Sequence, residues 1–302
     1  TCYGDSAASS TVCSGNGQCV APDTCLCYSG FHGSNCNTTY CSTQLYAWGS
    51  NTVSQVDNSK LNVTAPTLIN NKFFFGKTIM HFKKDISSTV AITSENELFT
   101  WGSINGFGST ASVTYPSLLA TNFSRIAVAA NAIQNQLFIT SDKLVFGMGE
   151  NSNGQLGTID FTDKLTLTLT GFGLRASPIH ACGTFDSTVI VTSETTNNVY
   201  VAGSGAHGQF GDGTTGTSLR NVHRLIYNAT KFDPHYGKYF TRVFCQYYTV
   251  IGLLSDNTLV GFGNNQFGSI GDGTTTQRTI PTATLLPSNV RVANVATGYY
   301  HT

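Results

Sequence analysis

The sequence predicts an all-β chain in two parts: a small disulfide-rich module over residues 1–40 and a β-propeller over residues 41–302. Three observations carry this. Six of the nine cysteines fall within the first 36 residues. Beyond them, a β-type run ending on glycine recurs at intervals of 47 to 60 residues. Helical periodicity is absent over any useful length, while apolar and polar residues alternate in short runs separated by turn residues.

The cysteine spacing is Cys2-x10-Cys13-x5-Cys19-x5-Cys25-x-Cys27-x8-Cys36, with Gly30-Phe31 shortly after Cys27. About forty residues bury too little apolar surface to offset chain entropy, so cross-links must restrict the unfolded state. Six cysteines allow fifteen pairings by arithmetic alone. A zinc reading of Cys25-x-Cys27 competes, but the usual C-x2-C spacing is missing. The six spacings, taken with the Gly-Phe pair of "YSGFHGSN", resemble an epidermal-growth-factor-like (EGF-like) domain. That resemblance selects Cys2–Cys19, Cys13–Cys25 and Cys27–Cys36. Calcium-binding members of the family place acidic residues ahead of the first cysteine; only Thr1 precedes Cys2, so that site is not carried over.

Five runs end on a glycine anchor: "LYAWG" at Gly49, "LFTWG" at Gly102, "VFGMG" at Gly149, "VYVAG" at Gly203 and "LVGFG" at Gly263. Three repeats carry further glycines at offsets of five and eight: Gly154 and Gly157, Gly208 and Gly211, Gly268 and Gly271. Two more strand-like runs precede each anchor, such as "PIHACG" and "STVIVTS". A period near 50 with several strands per unit predicts one propeller blade per repeat. The string from Gly203 to Gly208 also matches the G-x-G-x-x-G dinucleotide fingerprint. No helix start follows it, and the glycine spacing around it recurs in two other repeats. These glycines are read as blade turns, and no cofactor is expected.

The strings "ENSNGQLG", "GAHGQFGDGT" and "NNQFGSIGDGTTTQRTIPT", with "ACGTFDSTVIV" and "ATGYYHT", resemble the regulator-of-chromosome-condensation repeat. The resemblance covers roughly residues 41 to 302; it is specific in the last three repeats and degenerate in the first two. It implies a propeller, usually of seven blades, of which five repeats are visible here. Joining the ends would match an inner strand near Arg291 to Ala296 with "LYAWG", but that blade would lack its middle strand. The expectation is that the polypeptide continues beyond Thr302 and adds blades. Closure with five blades and completion by a neighbouring subunit are the alternatives.

Sixteen basic and sixteen acidic residues give zero net charge, so no nucleic-acid partner is expected. No apolar run approaches the ~18 residues needed to span a bilayer, so no direct membrane insertion is expected in this segment. The cysteine density places the chain in an oxidising compartment, secreted or at the cell surface. Thr1 then reads as a mature N-terminus left by signal cleavage, or as the start of an excised segment. Only 11% of residues are charged, against about 25% for ordinary domains, so the surface needs another source of hydration. Four N-glycosylation sequons, at Asn37, Asn62, Asn122 and Asn228, supply one in the form of N-linked glycans. Cys41, beyond the framework of six, is a candidate for a bond outside this segment or between subunits.

Other motifs have a structural reading. His180-x-Cys182 could pair a base with a thiol nucleophile, but Cys182 and Cys245 take the same place in successive repeats and read as small inner-strand residues. A disulfide between them is not favoured, since equivalent strands of adjacent blades diverge. His301 of "GYYHT" stands where Asp186 stands in "GTFDS", which points to loop stapling rather than catalysis. Asp212 and Asp272 of the two "DGTT" segments lack the alternating acids of a calcium loop and read as turn stabilisers. No acid, base and nucleophile assemble, no metal site is visible, and the chain is read as a non-enzyme.

Two functions fit. The first is an extracellular glycosylated assembly protein, a surface coat or filament subunit that self-associates through propeller and EGF-like domain. The second is an extracellular binding module, an adhesin or receptor ectodomain recognising a protein or glycan. The nuclear exchange activity of the repeat family's founder does not carry over to a neutral, disulfide-bearing chain.

Overall fold

The computed structural model describes residues 6, 12–27, 31–32, 34–39, 45–49, 51, 62–69, 74, 77–84, 88–103, 112–129, 135–172, 177–195, 198–225, 237–298 and 300–302. In the N-terminal module, β1 (Gly17–Ala21) and β2 (Thr24–Cys27) form an antiparallel hairpin, and β3 (Phe31–His32) pairs with β4 (Thr38–Thr39). Sulfur fills this small core: Val12, Cys13 and Cys36 are buried, with Cys19, Cys25 and Cys27 packed against them. Cys13 bonds to Cys25 and Cys27 to Cys36. Cys19 is also disulfide-bonded; Cys2 and Cys41 lie outside the described residues.

The remainder is a succession of antiparallel sheets, one per repeat. Among the described residues blade 1 contributes two strands, β5 (Tyr46–Gly49) and β6 (Val63–Leu68). Blade 2 comprises β7 (Ile79–Lys84), β8 (Ser88–Thr93), β9 (Leu98–Ser103) and β10 (Ser112–Ala120). Blade 3 comprises β11 (Phe123–Ala129), β12 (Asn135–Thr140), β13 (Val145–Gly149) and β14 (Lys164–Leu169). Blade 4 comprises β15 (Pro178–Gly183), β16 (Ser187–Thr192), β17 (Val199–Gly205) and β18 (Gly216–Leu225). Blade 5 comprises β19 (Phe240–Gln246), β20 (Thr249–Leu254), β21 (Leu259–Gly263) and β22 (Arg278–Ala283).

Position within a blade explains the sequence of each strand. The second strands, β8, β12, β16 and β20, are buried at every residue. Neighbouring blades cover them on both faces, so they read as continuous apolar and β-branched runs. The fourth strands β14 and β22, "KLTLTL" and "RTIPTA", are half-exposed at the rim. They follow the glycine loop rather than precede the anchor, so an expectation built on the runs leading into each anchor counts three strands per blade and omits this one. The five anchor glycines share φ values between 103° and 111°. A Cβ on Gly203 would stand 2.2 Å from the Asp186 carbonyl oxygen, so the third strand can pass that loop only as glycine.

The apolar core lies between blades. Val189, Val191, Val199, Val201 and Phe210 of blade 4 pack on Phe240, Val243, Val250, Val260 and Phe262 of blade 5. Strand alternation decides which way each side chain points. In β9, Phe99 and Trp101 turn back toward blade 1, whereas Leu98 turns forward to blade 3. The forward face of blade 5, with Ile251, Leu253 and Leu259, meets Val292 and Val295.

Residues 291–298 form no strand, and among the described residues β5 pairs with β6 alone, so the segment from Arg291 to Ala296 does not pair with "LYAWG". One expectation is corrected: Cys182 and Cys245 do form a disulfide, with their Cα atoms 5.4 Å apart. The two cysteines are not equivalent. Ser187 and Thr249 lie opposite Gly203 and Gly263, which sets Val189 level with Ile251. Cys182 pairs with Val189, whereas Cys245 pairs with Val250, one residue out of step. A one-residue shift turns a side chain to the opposite face. Cys182 therefore faces blade 5 and Cys245 faces back to blade 4, and inner strands are where adjacent blades diverge least.

Candidate functional site

In each blade the first and third strands run in the same direction, because both are antiparallel to the second. Their ends emerge on one face of the propeller. The loop after the first strand carries Phe185 in blade 4 and Tyr247 and Tyr248 in blade 5; Tyr300 follows in the next repeat. The glycine loop after the third strand contributes His207 in blade 4 and Phe267 in blade 5.

These six rings form one contiguous row. Phe185 meets Tyr247 and Tyr248 edge-on, each at 5.6 Å between centroids. Tyr248 lies 4.1 Å from both His207 and Tyr247. Tyr247 continues to Tyr300 at 5.6 Å, and Tyr300 to Phe267 at 4.3 Å. The row ends on its most open members, Phe267 at 57% and Tyr300 at 41% exposure. Edge and tilted contacts of this kind suit the ring quadrupoles and stiffen the surface.

The loops are braced from beneath. The Phe185 amide donates to the Tyr247 carbonyl at 2.5 Å, a backbone bridge between blades 4 and 5. Thr184 N–H donates to the Ser187 carbonyl at 2.8 Å, and Gly298 N–H to the His301 carbonyl at 2.8 Å, a three-residue closure set one position earlier in the second loop. The buried Asp186 carboxylate accepts from Gln209 Nε2 at 2.8 Å. Burial pushes the Asp186 carboxyl up from its ordinary range, partly opposed by hydrogen bonds from Gln209 and Ser204.

The "DGTT" aspartates do close turns, accepting from Thr214 N–H at 3.1 Å and Thr274 N–H at 3.0 Å. Each also holds an arginine from the fourth strand, Arg220 for Asp212 and Arg278 for Asp272, an ion pair the sequence reading missed. Arg220 stacks its guanidinium over the Phe210 ring. Of the sequon asparagines, Asn37, Asn62 and Asn122 are exposed, and Asn228 lies outside the described residues. Among the described residues no group of three His, Cys, Asp or Glu could hold a metal, and no helix is long and apolar enough to cross a membrane. The aromatic row itself was not collected from sequence; the only signal was the recurrence of aromatic residues just after first strands.

Comparison with known proteins places both parts. Residues 6–52 match the profile of the platelet endothelial aggregation receptor 1-like EGF domain, and residues 256–302 match the regulator of chromosome condensation (RCC1) repeat. Human WBSCR16 superposes with a TM-score of 0.66 at 16% identity, over 80% of this chain and 62% of that one. Prp20p from Saccharomyces cerevisiae gives 0.65 at 14% identity, over 82% and 60%. The fold is the RCC1-type propeller. In sequence, the ultraviolet-B receptor UVR8 of Arabidopsis thaliana is 26% identical over 268 residues, 86% of this chain and 58% of that protein. The probable E3 ubiquitin-protein ligase HERC4 of Homo sapiens is 26% identical over 206 residues, 64% of this chain and 18% of that protein. The chain thus spans about three fifths of UVR8 and a small part of HERC4.

Proposed function

We propose that this chain is an extracellular glycoprotein whose propeller binds a protein partner through the aromatic row. The row carries the reading: six rings in unbroken contact across three repeats, opening to solvent at Phe267 and Tyr300. Large, stiff aromatic residues are enriched at interface hot spots, and contiguous exposed apolar surface of this kind marks contact sites. Protein binding by this fold has precedent in Prp20p, whose structure is described with its binding to Gsp1p and histones. The extracellular location rests on sulfur. Disulfides in the N-terminal module are joined by one between blades 4 and 5, and such bonds persist in oxidising compartments. Exposed sequons at Asn37, Asn62 and Asn122 support glycosylation.

The test is retention of surface and secreted proteins of the source organism on the immobilised chain. The wild type should retain a discrete partner that a Tyr300→Ala/Phe267→Ala variant loses at least about tenfold; identical sets from both chains would remove the row as the contact surface. Intact mass before and after amidase treatment of secreted material checks the glycans, and no mass change removes them.

A second reading, self-association into a coat or filament, is favoured by one observation. Counting back from the anchor glycines, Tyr46 and Trp48 of β5 take the places of Val260 and Phe262, which face the preceding blade. Tyr46 is 45% and Trp48 59% exposed, whereas Phe262 is fully buried. At the opposite end, Ile251, Ile270, Leu286 and Val292 line an apolar groove on blade 5. The chain has two tryptophans, and Trp101 is only 1% exposed, so quencher access reports on Trp48. Self-association predicts that Trp48 becomes protected from acrylamide as protein concentration and hydrodynamic mass rise together. Unchanged quenching in a monomer removes it.

A further inference from the structure

The Cys182–Cys245 disulfide stands at the root of the aromatic row. Phe185 follows Cys182 by three residues, and Tyr247 and Tyr248 follow Cys245 by two and three. The bond joins the first strands of blades 4 and 5 just before both chains enter the loops that carry these rings. Immediately beyond it, the Phe185 amide reaches the Tyr247 carbonyl, and the Phe185 ring wedges against both tyrosines. On its far side, Thr297 Oγ1 donates to the Cys245 carbonyl at 2.9 Å, linking the strand to the segment that presents Tyr300. Among the described residues it is the one disulfide joining two blades, and it falls at the junction the row crosses.

The other junctions are held by packing and by hydrogen bonds, such as Gln136 Nε2 to Ser88 Oγ between blades 3 and 2 and the Ile159 amide to the Asn221 carbonyl between blades 3 and 4, with no covalent bond among the described residues. Movement of one blade against the next shifts the loops that carry the rings, and a contact surface gains affinity from being held in its binding arrangement. We infer that Cys182 and Cys245 are positioning residues for the aromatic contact surface: their bond holds the loops of blades 4 and 5 in register, and opening it loosens the row while the blades remain folded. A dithiol reductant supplies the two electrons and two protons; the S–S bond breaks, two cysteine thiols form, and the reductant closes to its own disulfide. This inference rests on the aromatic row being the binding surface. It is read out on the row itself without any partner, so its failure is distinguishable from the failure of that reading.

The test is native-state hydrogen exchange on the full chain, comparing wild type with a Cys182→Ser/Cys245→Ser variant. The Phe185 amide should exchange at least about tenfold faster in the variant, while the Ile92 and Ile139 amides of blades 2 and 3 stay within about twofold. Nitration should rise at Tyr247 and Tyr248 in parallel. Should the variant not fold, wild-type protein under a mild dithiol that leaves the far-ultraviolet circular dichroism intact provides the same comparison. A uniform rise across all blades would reduce the bond to a general staple, and an unchanged Phe185 amide would remove the coupling; either result overturns the inference.

Discussion

The ring of His223, on the fourth strand of blade 4, fills the space directly under Gly157 on the glycine loop of blade 3. A Cβ at Gly157 would stand 2.3 Å from His223 Nδ1, and Gly157 has φ +70°. The repeat glycine is thus where one blade's loop rests on the next blade's rim. Gly157→Ala adds backbone strain to overpacking, and a loss of about 3 kcal/mol is expected. Chemical denaturation measures it; a loss below about 1 kcal/mol would show that the junction yields freely.

The same histidine sets an acid limit. Burial drives His223 from 6.5 down to about 3, so the folded state keeps it neutral. Its Nε2 lies 3.0 Å from Thr188 Oγ1, whose proton goes to the Gln155 carbonyl, so Nε2–H is the donor. Because the folded pKa lies below the unfolded one, the unfolded chain takes up the proton first. Stability is flat above about pH 6.5 and falls toward pH 3, with a slope approaching about 1.4 kcal/mol per pH unit. The midpoint of denaturation as a function of pH, for wild type and His223→Gln, isolates the effect; equal slopes in both would assign it elsewhere.

Asp272 and Asn265 tie the last glycine loop. Asp272 accepts from Arg278 Nε at 2.5 Å and Thr274 Oγ1 at 2.8 Å. Burial pushes its carboxyl up, but these hydrogen bonds outweigh burial and hold it below the usual range, so its contribution is present above about pH 4 and lost in stronger acid. Asn265 is buried, and its Oδ1 accepts the Ile270 amide at 3.0 Å. Asn265→Ala leaves that amide unpaired and should cost about 2 kcal/mol. Thermal unfolding of Asn265→Ala measures it; a cost below about 0.5 kcal/mol would show that water replaces the lost acceptor.

The disulfide between blades 4 and 5 closes a loop with a sequence separation of 63. Chain-entropy reasoning gives about 4 kcal/mol for a loop of this length. The double serine variant should lose stability of that order in the unfolding of blades 4 and 5, with a lower urea midpoint for that step, while blades 2 and 3 keep theirs. A change within experimental error would mean that the reduced chain already holds these blades together.

Much of the architecture was legible in the chain. Local needs are written locally: the anchor glycines at Gly49, Gly102, Gly149, Gly203 and Gly263 mark a backbone that must take positive φ, and the crowded cysteines before Cys36 mark a module too small to hold itself by apolar burial. The rim strands were missed because they follow the glycine loop, outside the runs that lead into each anchor: "KLTLTL" alternates as a strand should, yet no anchor glycine marks it. The Cys182–Cys245 bond was misjudged because equivalence in sequence is not equivalence in register; a one-residue offset, visible only once strands are paired, turns the two thiols toward each other. The aromatic row was likewise beyond the sequence. Phe185, Tyr247 and Tyr300 are more than fifty residues apart along the chain, and only the parallel course of first and third strands in successive blades brings their loops to one face. Sequence alone therefore determined the repeat and its turns, which depend on neighbouring residues. Tertiary structure decided what the repeats present together, because that depends on distances between blades.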